Sequence, residues 1–255
     1  MAVQGPWVGS SAVAETGQRW MSNAAGPLRV GVPFWLSSFI GQSKEVSISI
    51  GPTDNYNKDD LINWLRSIGN APGIITVIGN IIGYNSGIPC LEFPGDLANA
   101  YIELRINSGV HVLGRGGQGG TQGHSNGFDG GTAINNGVGD RLRITNNGII
   151  GGGGGGGGGV DLGTAHPYLG GGGGAPYGAG GIGTRSSGGG GSFNSGGPGG
   201  YNERPAGNGG GWGSPGGWGS DSSSLRPFPP GAAGRAVIGN SPIWRSVGTI
   251  YGDRV

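Results

Sequence analysis

Nine consecutive glycines, Gly151 to Gly159, constrain this chain more than any other feature. From Gly114 to Gly219 nearly every second residue is glycine. Such a stretch has no side chains to bury, and glycine loses more backbone entropy on ordering than any other residue. Each ordered residue already costs roughly 1–2 kcal/mol of backbone entropy. Either the stretch stays disordered or the backbone itself is the packing surface.

Composition favours the second alternative. The chain has 255 residues, 66 of them glycine, 11% charged residues and a formal net charge of +1. The high net charge of a solvated disordered chain is missing, as is the basic patch of a phosphate-reading protein, so no nucleic-acid partner is expected. One cysteine, Cys90, excludes an intrachain disulfide framework and reads as a small apolar strand residue. Residues 1–10 lack a signal-peptide pattern, and no run reaches the ~20 apolar residues of a membrane span. A soluble chain made in a cytoplasm is expected.

Four regions follow from the composition: 1–113, with ordinary globular content; 114–150, a β-repeat region; 151–230, rich in glycine; and 231–255, where β character returns. The clearest helix starts after Asn57, an N-cap type, with Asp59 and Asp60 in its first turn. Leu61, Trp64, Leu65 and Ile68 form its apolar face, and Gly69 and Pro72 end it. Strands are expected at 46–50, 74–82, 88–93 and 101–106, the last with Ile102, Leu104 and Ile106 alternating against polar neighbours. An internal repeat links Leu104-Arg105-Ile106-Asn107-Ser108-Gly109 to Leu142-Arg143-Ile144-Thr145-Asn146-Asn147-Gly148. Strands of like sequence stack as the coils of a β-solenoid do, and these would launch the glycine segments side by side.

Glycine tracts at 151–159, 170–174, 178–181, 188–191, 196–200 and 207–211 are separated by short mixed segments rich in aromatics. Flexible linkers lack that grain. Polyproline II geometry fits it: three residues per turn, ~3.1 Å rise and no internal hydrogen bonds. The N–H and C=O groups then point outward and need partners, which neighbouring helices supply where nothing larger than hydrogen intervenes. The fold class expected is therefore mixed and irregular: a β-rich N-terminal domain with one short helix, then an antiparallel layered bundle of polyglycine type II helices with loops clustered at its far end. The nine-glycine tract would span about 28 Å in the middle of the bundle. Ala179, Pro198, Ala206 and Asn208 would face away from it. No Gly-X-Y period runs through the chain, which separates it from collagen.

Motifs for chemistry are weak. Gly114-Arg115-Gly116-Gly117-Gln118-Gly119 matches a dinucleotide-binding fingerprint in form, but no helix pattern follows it. His111, His124 and His166 lack partners at metal-ligand spacing, and His111 reads as an ordinary surface histidine. No Ser/His/Asp set can be assigned. No enzyme, metal or cofactor is expected. Segments 160–169, 182–187, 192–195, 201–206 and 220–230 carry residue types that anchor interfaces. The candidate binding residues in these segments are His166, Tyr168, Arg185, Phe193, Tyr201, Arg204, Arg226 and Phe228. Tyr177 and the stretch from Trp212 to Trp218 are expected at the opposite turns, over the junction with the first domain.

The N-terminal segments Gly5-Pro6-Trp7-Val8-Gly9-Ser10-Ser11-Ala12-Val13, Glu15-Thr16-Gly17-Gln18-Arg19-Trp20-Met21 and Leu28-Arg29-Val30-Gly31-Val32-Pro33-Phe34-Trp35 are specific. With the repeat, Gly151–Gly159, Gly170–Gly174 followed by Ala175-Pro176-Tyr177, and Gly231-Ala232-Ala233-Gly234-Arg235, they give the chain its kinship. It resembles, over essentially its whole length, the distal receptor-binding adhesin of T-even-type bacteriophage long tail fibres, in phages whose adhesin is a separate tip protein. The resemblance implies a virion protein at the distal fibre tip, one copy per tip, clamped to a trimeric fibre protein. Trp7, Trp20 and Trp35 are the candidate fibre-attachment anchors. It further implies a sandwich of polyglycine helices whose variable loops bind a porin-like outer-membrane protein of a Gram-negative host and set host range, with lipopolysaccharide a further candidate partner. The alternative is a structural cap of the fibre tip that makes no receptor contact.

Overall fold

The computed structural model describes residues 2–122, 126–162, 168–202, 204–219 and 226–255; the side chains of Arg204 and Arg226 lie outside that description. The chain is mostly sheet and irregular backbone, with few helices.

Its body is a stack of parallel coils with three faces. The first face holds Val46–Ile50, Gly73–Val77, Ile102–Ile106, Leu142–Asn146 and Ile243–Ser246 in that order, all parallel. The second holds Thr53–Tyr56, Ile81–Gly83, His111–Leu113, Ile149–Gly151 and Thr249–Tyr251. The third stacks Leu91–Phe93, Ile134–Asn136 and Val237–Gly239. The internal repeat is two successive coils in register, with Ile102 over Leu142 and Leu104 over Ile144. Inward residues of the faces form one core that includes Ile75, Val77, Leu91, Phe93, Leu104, Ile144 and Val237. Each such fully buried side chain contributes on the order of 1.5–3 kcal/mol.

The run expected as one strand over 74–82 divides, because the chain turns a corner between faces at 78–80. There Gly79 lies against Pro52, and a Cβ on Gly79 would stand 2.9 Å from the proline ring. The helix Lys58–Ser67 begins as expected: the Asn57 side chain accepts from the Asp59 amide at 3.1 Å. Leu61 and Leu65 enter the coil core, with Trp64 and Ile68 against it.

Residues 2–42 form their own small cluster of Val3, Ala12, Ala24, Ala25, Leu28 and Phe39, where the sequence suggested one domain over 1–113. It contains helices Val8–Thr16 and Met21–Ala25 and a 3-10 turn Leu36–Phe39. The sequence pattern did not give the first helix: its apolar spacing is irregular and no side-chain cap marks its start. The unit joins the coils where the Lys44 amide donates to Glu15 Oε1 at 3.1 Å, and where Arg29 lies 3.9 Å from Glu45 Oε1 and 5.3 Å over the Tyr101 ring.

The glycine region is made of two excursions from the coils. One leaves after Leu113 and returns at Ile134; the other leaves after Gly151 and returns at Val237. Among the described residues, neither is helix or sheet along most of its length. Backbone amides instead bond from segment to segment with a period of three. Gly153 and Gly156 donate to Gly131 and Phe128, Gly154 and Gly157 to Ala175 and Gly172, and Gly155 and Gly158 to Ser214 and Gly217. The carbonyls of Gly151, Gly154 and Gly157 accept from Gly114, Gly117 and Gly120. Those of Gly152, Gly155 and Gly158 accept from Gly213, Gly210 and Gly207, and those of Gly153, Gly156 and Gly159 from Gly234, Gly231 and Phe228. The tract therefore has six backbone neighbours, and all of Gly151–Gly159 is buried.

A second interior segment, Gly170 to Ala175, is bonded in the same way. It donates to segments around 117–120, 186–189 and 207–210, and accepts from 154–157, 178–181 and 197–200. Residues 114–120 and 127–131, which the sequence placed in a β-repeat region, run along the tract as well. Segment 228–234 explains why a strict glycine tract is unnecessary at the periphery. Residues 228, 231 and 234 meet the tract, while Ala232 is exposed. Ala179, Pro198 and Asn208 are exposed as expected; Ala206 instead is buried, packed with Val160 and Leu169.

Candidate binding surfaces at the two ends

Register divides the glycine segments into a near end, level with the coils at Gly114, Gly152, Gly213 and Gly234, and a far end at Gly120, Gly158, Gly207 and Phe228. At the far end short strands tie the segments together. Val160 pairs with Leu169 and Pro227, Asp161 with Tyr168 and Arg226, and Tyr201–Asn202 with Arg204–Pro205. Val160, Leu169 and Ala206 make a small core beneath them. Further ties are Thr184 Oγ1 accepting from the Tyr168 amide at 2.8 Å, Ser186 Oγ accepting from the Tyr201 amide at 3.1 Å, and Thr121 Oγ1 donating to the Ile182 carbonyl at 3.1 Å. These bonds fix the loop backbones where glycine packing stops.

The candidate residues divide among several places. Tyr201 is 65% exposed and Arg185 is exposed, with Nη2 3.4 Å from Asn202 Oδ1. Phe228 is half-buried at the same end, its amide on Gly159 O. The backbones of Arg204 and Arg226 lie in the far-end strands. His166 lies outside the described residues. Tyr168 is at this end but only 5% exposed. Its ring fills the space beside Gly159, the last of the nine glycines, where a Cβ would collide with the tyrosine hydroxyl.

Phe193 is elsewhere. It lies at the near end in T-shaped contact with His111 at 5.4 Å and Trp212 at 5.2 Å, and its carbonyl accepts from Trp212 Nε1 at 2.6 Å. Tyr177 and Tyr251 complete this aromatic junction against the coils. His111 is thus no ordinary surface residue. Asn80 Oδ1 accepts from its backbone amide at 3.0 Å and lies 2.9 Å from Nδ1, so Nδ1 carries the proton. Burial pushes the imidazole pKa down.

Two exposed apolar residues at the far end stand outside the candidate residues, although Ile182 opens the expected binding segment 182–187. Trp218, expected at the junction, precedes Gly219, which packs on Val160 and Ala206, and is 63% exposed. Ile182 is exposed beside Thr121. A bulky apolar residue between glycine tracts was the available signal, and Ile182 and Trp218 both stand in that position.

On the N-terminal unit, Trp7, Trp20 and Trp35 are each at least 75% exposed. Each is also the N-cap residue of a helical turn and makes no side-chain cap bond. An indole N–H cannot accept the amide bond a cap supplies, so each site forgoes about 1 kcal/mol that Ser or Asp would give. Trp7 shares a groove with Leu36. Among the described residues no group of three or more His, Cys, Asp or Glu could hold a metal ion, and no helix is long and apolar enough to cross a membrane.

A rigid body that shows one set of bulky groups on its N-terminal unit and another at the tips of its loops defines a presenting scaffold, the build of an adhesin. Comparison with known proteins makes the assignment specific. Residues 45–255 match the family described as phage tail fibre adhesin Gp38, and residues 1–40 match the N-terminal domain of the same adhesin. The chain belongs to the phage tail fibre adhesin Gp38 family. It is 51% identical over 257 residues to the receptor-recognizing protein gp38 of Salmonella phage S16, covering 99% of both. It also matches a chain in the crystal structure of the gp37–gp38 adhesin tip complex of the bacteriophage S16 long tail fibre, at 49% identity with a TM-score of 0.84 over 100% of each chain.

Proposed function

We propose that this adhesin sits at the distal tip of a long tail fibre and binds an outer-membrane protein of a Gram-negative host, porin-like in class, through the loops at the far end of its glycine segments. On this reading the segments are polyglycine type II helices. The six-neighbour, period-three bonding of Gly151–Gly159 supports it, since a helix with three residues per turn directs successive amides along three directions. Recurring Cα–H···O contacts add a secondary contribution.

The observation that carries the functional reading is the exposure of Ile182, Tyr201 and Trp218 at the far end, where short strands and side-chain bonds tie the loop backbones. Loops on a rigid support lose little entropy on docking. Arg185, Arg204, Arg226, His166 and Phe228 belong to the same loops. Tyr168 supports them from below, and Phe193 belongs to the junction. Trp7, Trp20 and Trp35 serve the other interface, with the trimeric fibre protein, in line with the gp37–gp38 complex of the S16 relative. Loop variation then sets host range.

The test is to exchange segments 160–169, 182–187, 201–206 and 218–230 with those of a relative of different host range. Plating is expected to follow the loops. Unchanged plating on every host would leave a structural cap of the fibre tip as the better reading.

A further inference from the structure

We propose that the flank of the coil stack holds a second binding site, for a neutral pyranose of a cell-surface glycan, in the pocket between Tyr84 and Asn55. Asn55, Asn57, Asp59, Tyr84, Asn85 and Ile88 line it. Tyr84 follows the second-face strand Ile81–Gly83 and is 61% exposed, so its ring adds nothing to the core.

The polar groups around the ring are held in place by the protein's own bonds. Asn55 Oδ1 accepts from Arg115 Nη1 at 2.9 Å, and Asn85 Oδ1 accepts from the Gly87 amide at 2.8 Å. Asn57 Oδ1 is engaged as the helix cap by the Asp59 amide. With their oxygens engaged by Arg115 and by the Gly87 amide, Asn55 and Asn85 keep their NH₂ groups as donors for a ligand. Asp59 bonds Lys58 Nζ through Oδ1 at 3.0 Å, and its second oxygen is an acceptor.

Fixed amide donors, a carboxylate acceptor and an exposed aromatic face match one ligand chemistry. A pyranose has an apolar C–H face that stacks on tyrosine, and ring hydroxyls that both donate and accept. The neighbouring cations are already engaged, Lys58 by Asp59 and Glu92 and Arg115 by Asn55 and the Asp54 carbonyl, which favours a neutral sugar over an anion. Because Arg115 opens the first glycine segment, the pocket lies at the near end, apart from the loops proposed for the protein receptor. The site would hold the virion to surface glycan through a contact independent of those loops.

Saturation-transfer NMR on the full-length protein tests this, with methyl α-D-glucopyranoside, methyl α-D-galactopyranoside and N-acetylglucosamine as probes at about 10 mM, suited to an open site of millimolar affinity. Transfer to the ring C–H protons of at least one sugar is expected. It should fall about tenfold in Tyr84→Ala, where the stacking face is lost, and persist in Tyr84→Phe and in the far-end variant Tyr201→Ala. No transfer from the wild-type protein to any of the three sugars, or transfer undiminished by Tyr84→Ala, would overturn the proposal. Loss of transfer in Tyr201→Ala would do so too, by putting the sugar at the far end.

Discussion

The carbonyl oxygen of Gly231 occupies the place where a side chain on Gly155 would begin: a Cβ there would stand 2.0 Å from it, and 2.7 Å from the carbonyl oxygen of Ala232. Backbone fills the space that a side chain fills in an ordinary core. Gly155→Ala must therefore push whole segments apart rather than rotate a neighbour. Gly211 offers the contrast, since its nearest atom is the Asn194 carbonyl oxygen at 3.9 Å. Gly155→Ala is expected to cost about 3 kcal/mol or more, which lowers Tm by roughly 6–12 °C. Gly211→Ala should leave Tm nearly unchanged. Calorimetry on the two variants decides.

The far-end tyrosines should separate by role. Tyr201 is exposed and Tyr168 is buried against Gly159. Tyr201→Ala and Trp218→Ala are expected to weaken adsorption with Tm within a degree or two of wild type. Tyr168→Ala should lower Tm, because a large buried ring is removed at a cost of about 3–5 kcal/mol. Adsorption rates and melting curves measured on the same preparations check both.

Much of this division was legible in the sequence, and its limits have physical causes. Nine glycines in succession can pack on every side, and the central tract does. The repeat placed Leu104 and Ile144 in adjacent coils because like strands offer like faces. Segments 127–131 and 228–234 were hidden because a peripheral segment needs glycine only where a Cβ would meet neighbouring backbone, as at Gly127, Gly130, Gly231 and Gly234, so Phe128, Asp129 and Pro229 disguise it. Phe193 and Trp218 were each assigned to the wrong end. Composition names residue types suited to interfaces, but the end of the bundle a turn occupies depends on how many segments precede it.

The tryptophan caps give a prediction of opposite signs. Trp20 has an extended backbone, φ −93° and ψ 127°, suited to a capping residue. Trp20→Asp should raise stability by up to about 1 kcal/mol while weakening association with the distal fibre protein. Melting curves and co-purification with that protein measure the two effects. Stronger melting with undiminished association would remove Trp20 from the interface.

The junction should respond to pH. Burial lowers the His111 pKa, so the folded protein holds that proton less tightly than the unfolded chain. The contribution of the neutral ring is fully present above the unfolded value near 6.5 and is lost as pH falls through the lowered folded value. Protonation would place a charge beside Phe193 and Trp212, which lie within 5.4 Å of the ring. Stability should decline from pH 7 toward pH 5, with a smaller decline in His111→Gln. Chemical denaturation across that range checks the difference.

Amide hydrogen exchange across Gly152–Gly158 tests the ordered backbone bundle most directly, because each of those amides donates to a different neighbouring residue. Protection comparable to that of the coil strands Ile102–Ile106 and Leu142–Asn146 is expected. Exchange at the rate of an unstructured chain, in protein whose coil strands remain protected, would contradict the bundle and with it the rigid support for the far-end loops.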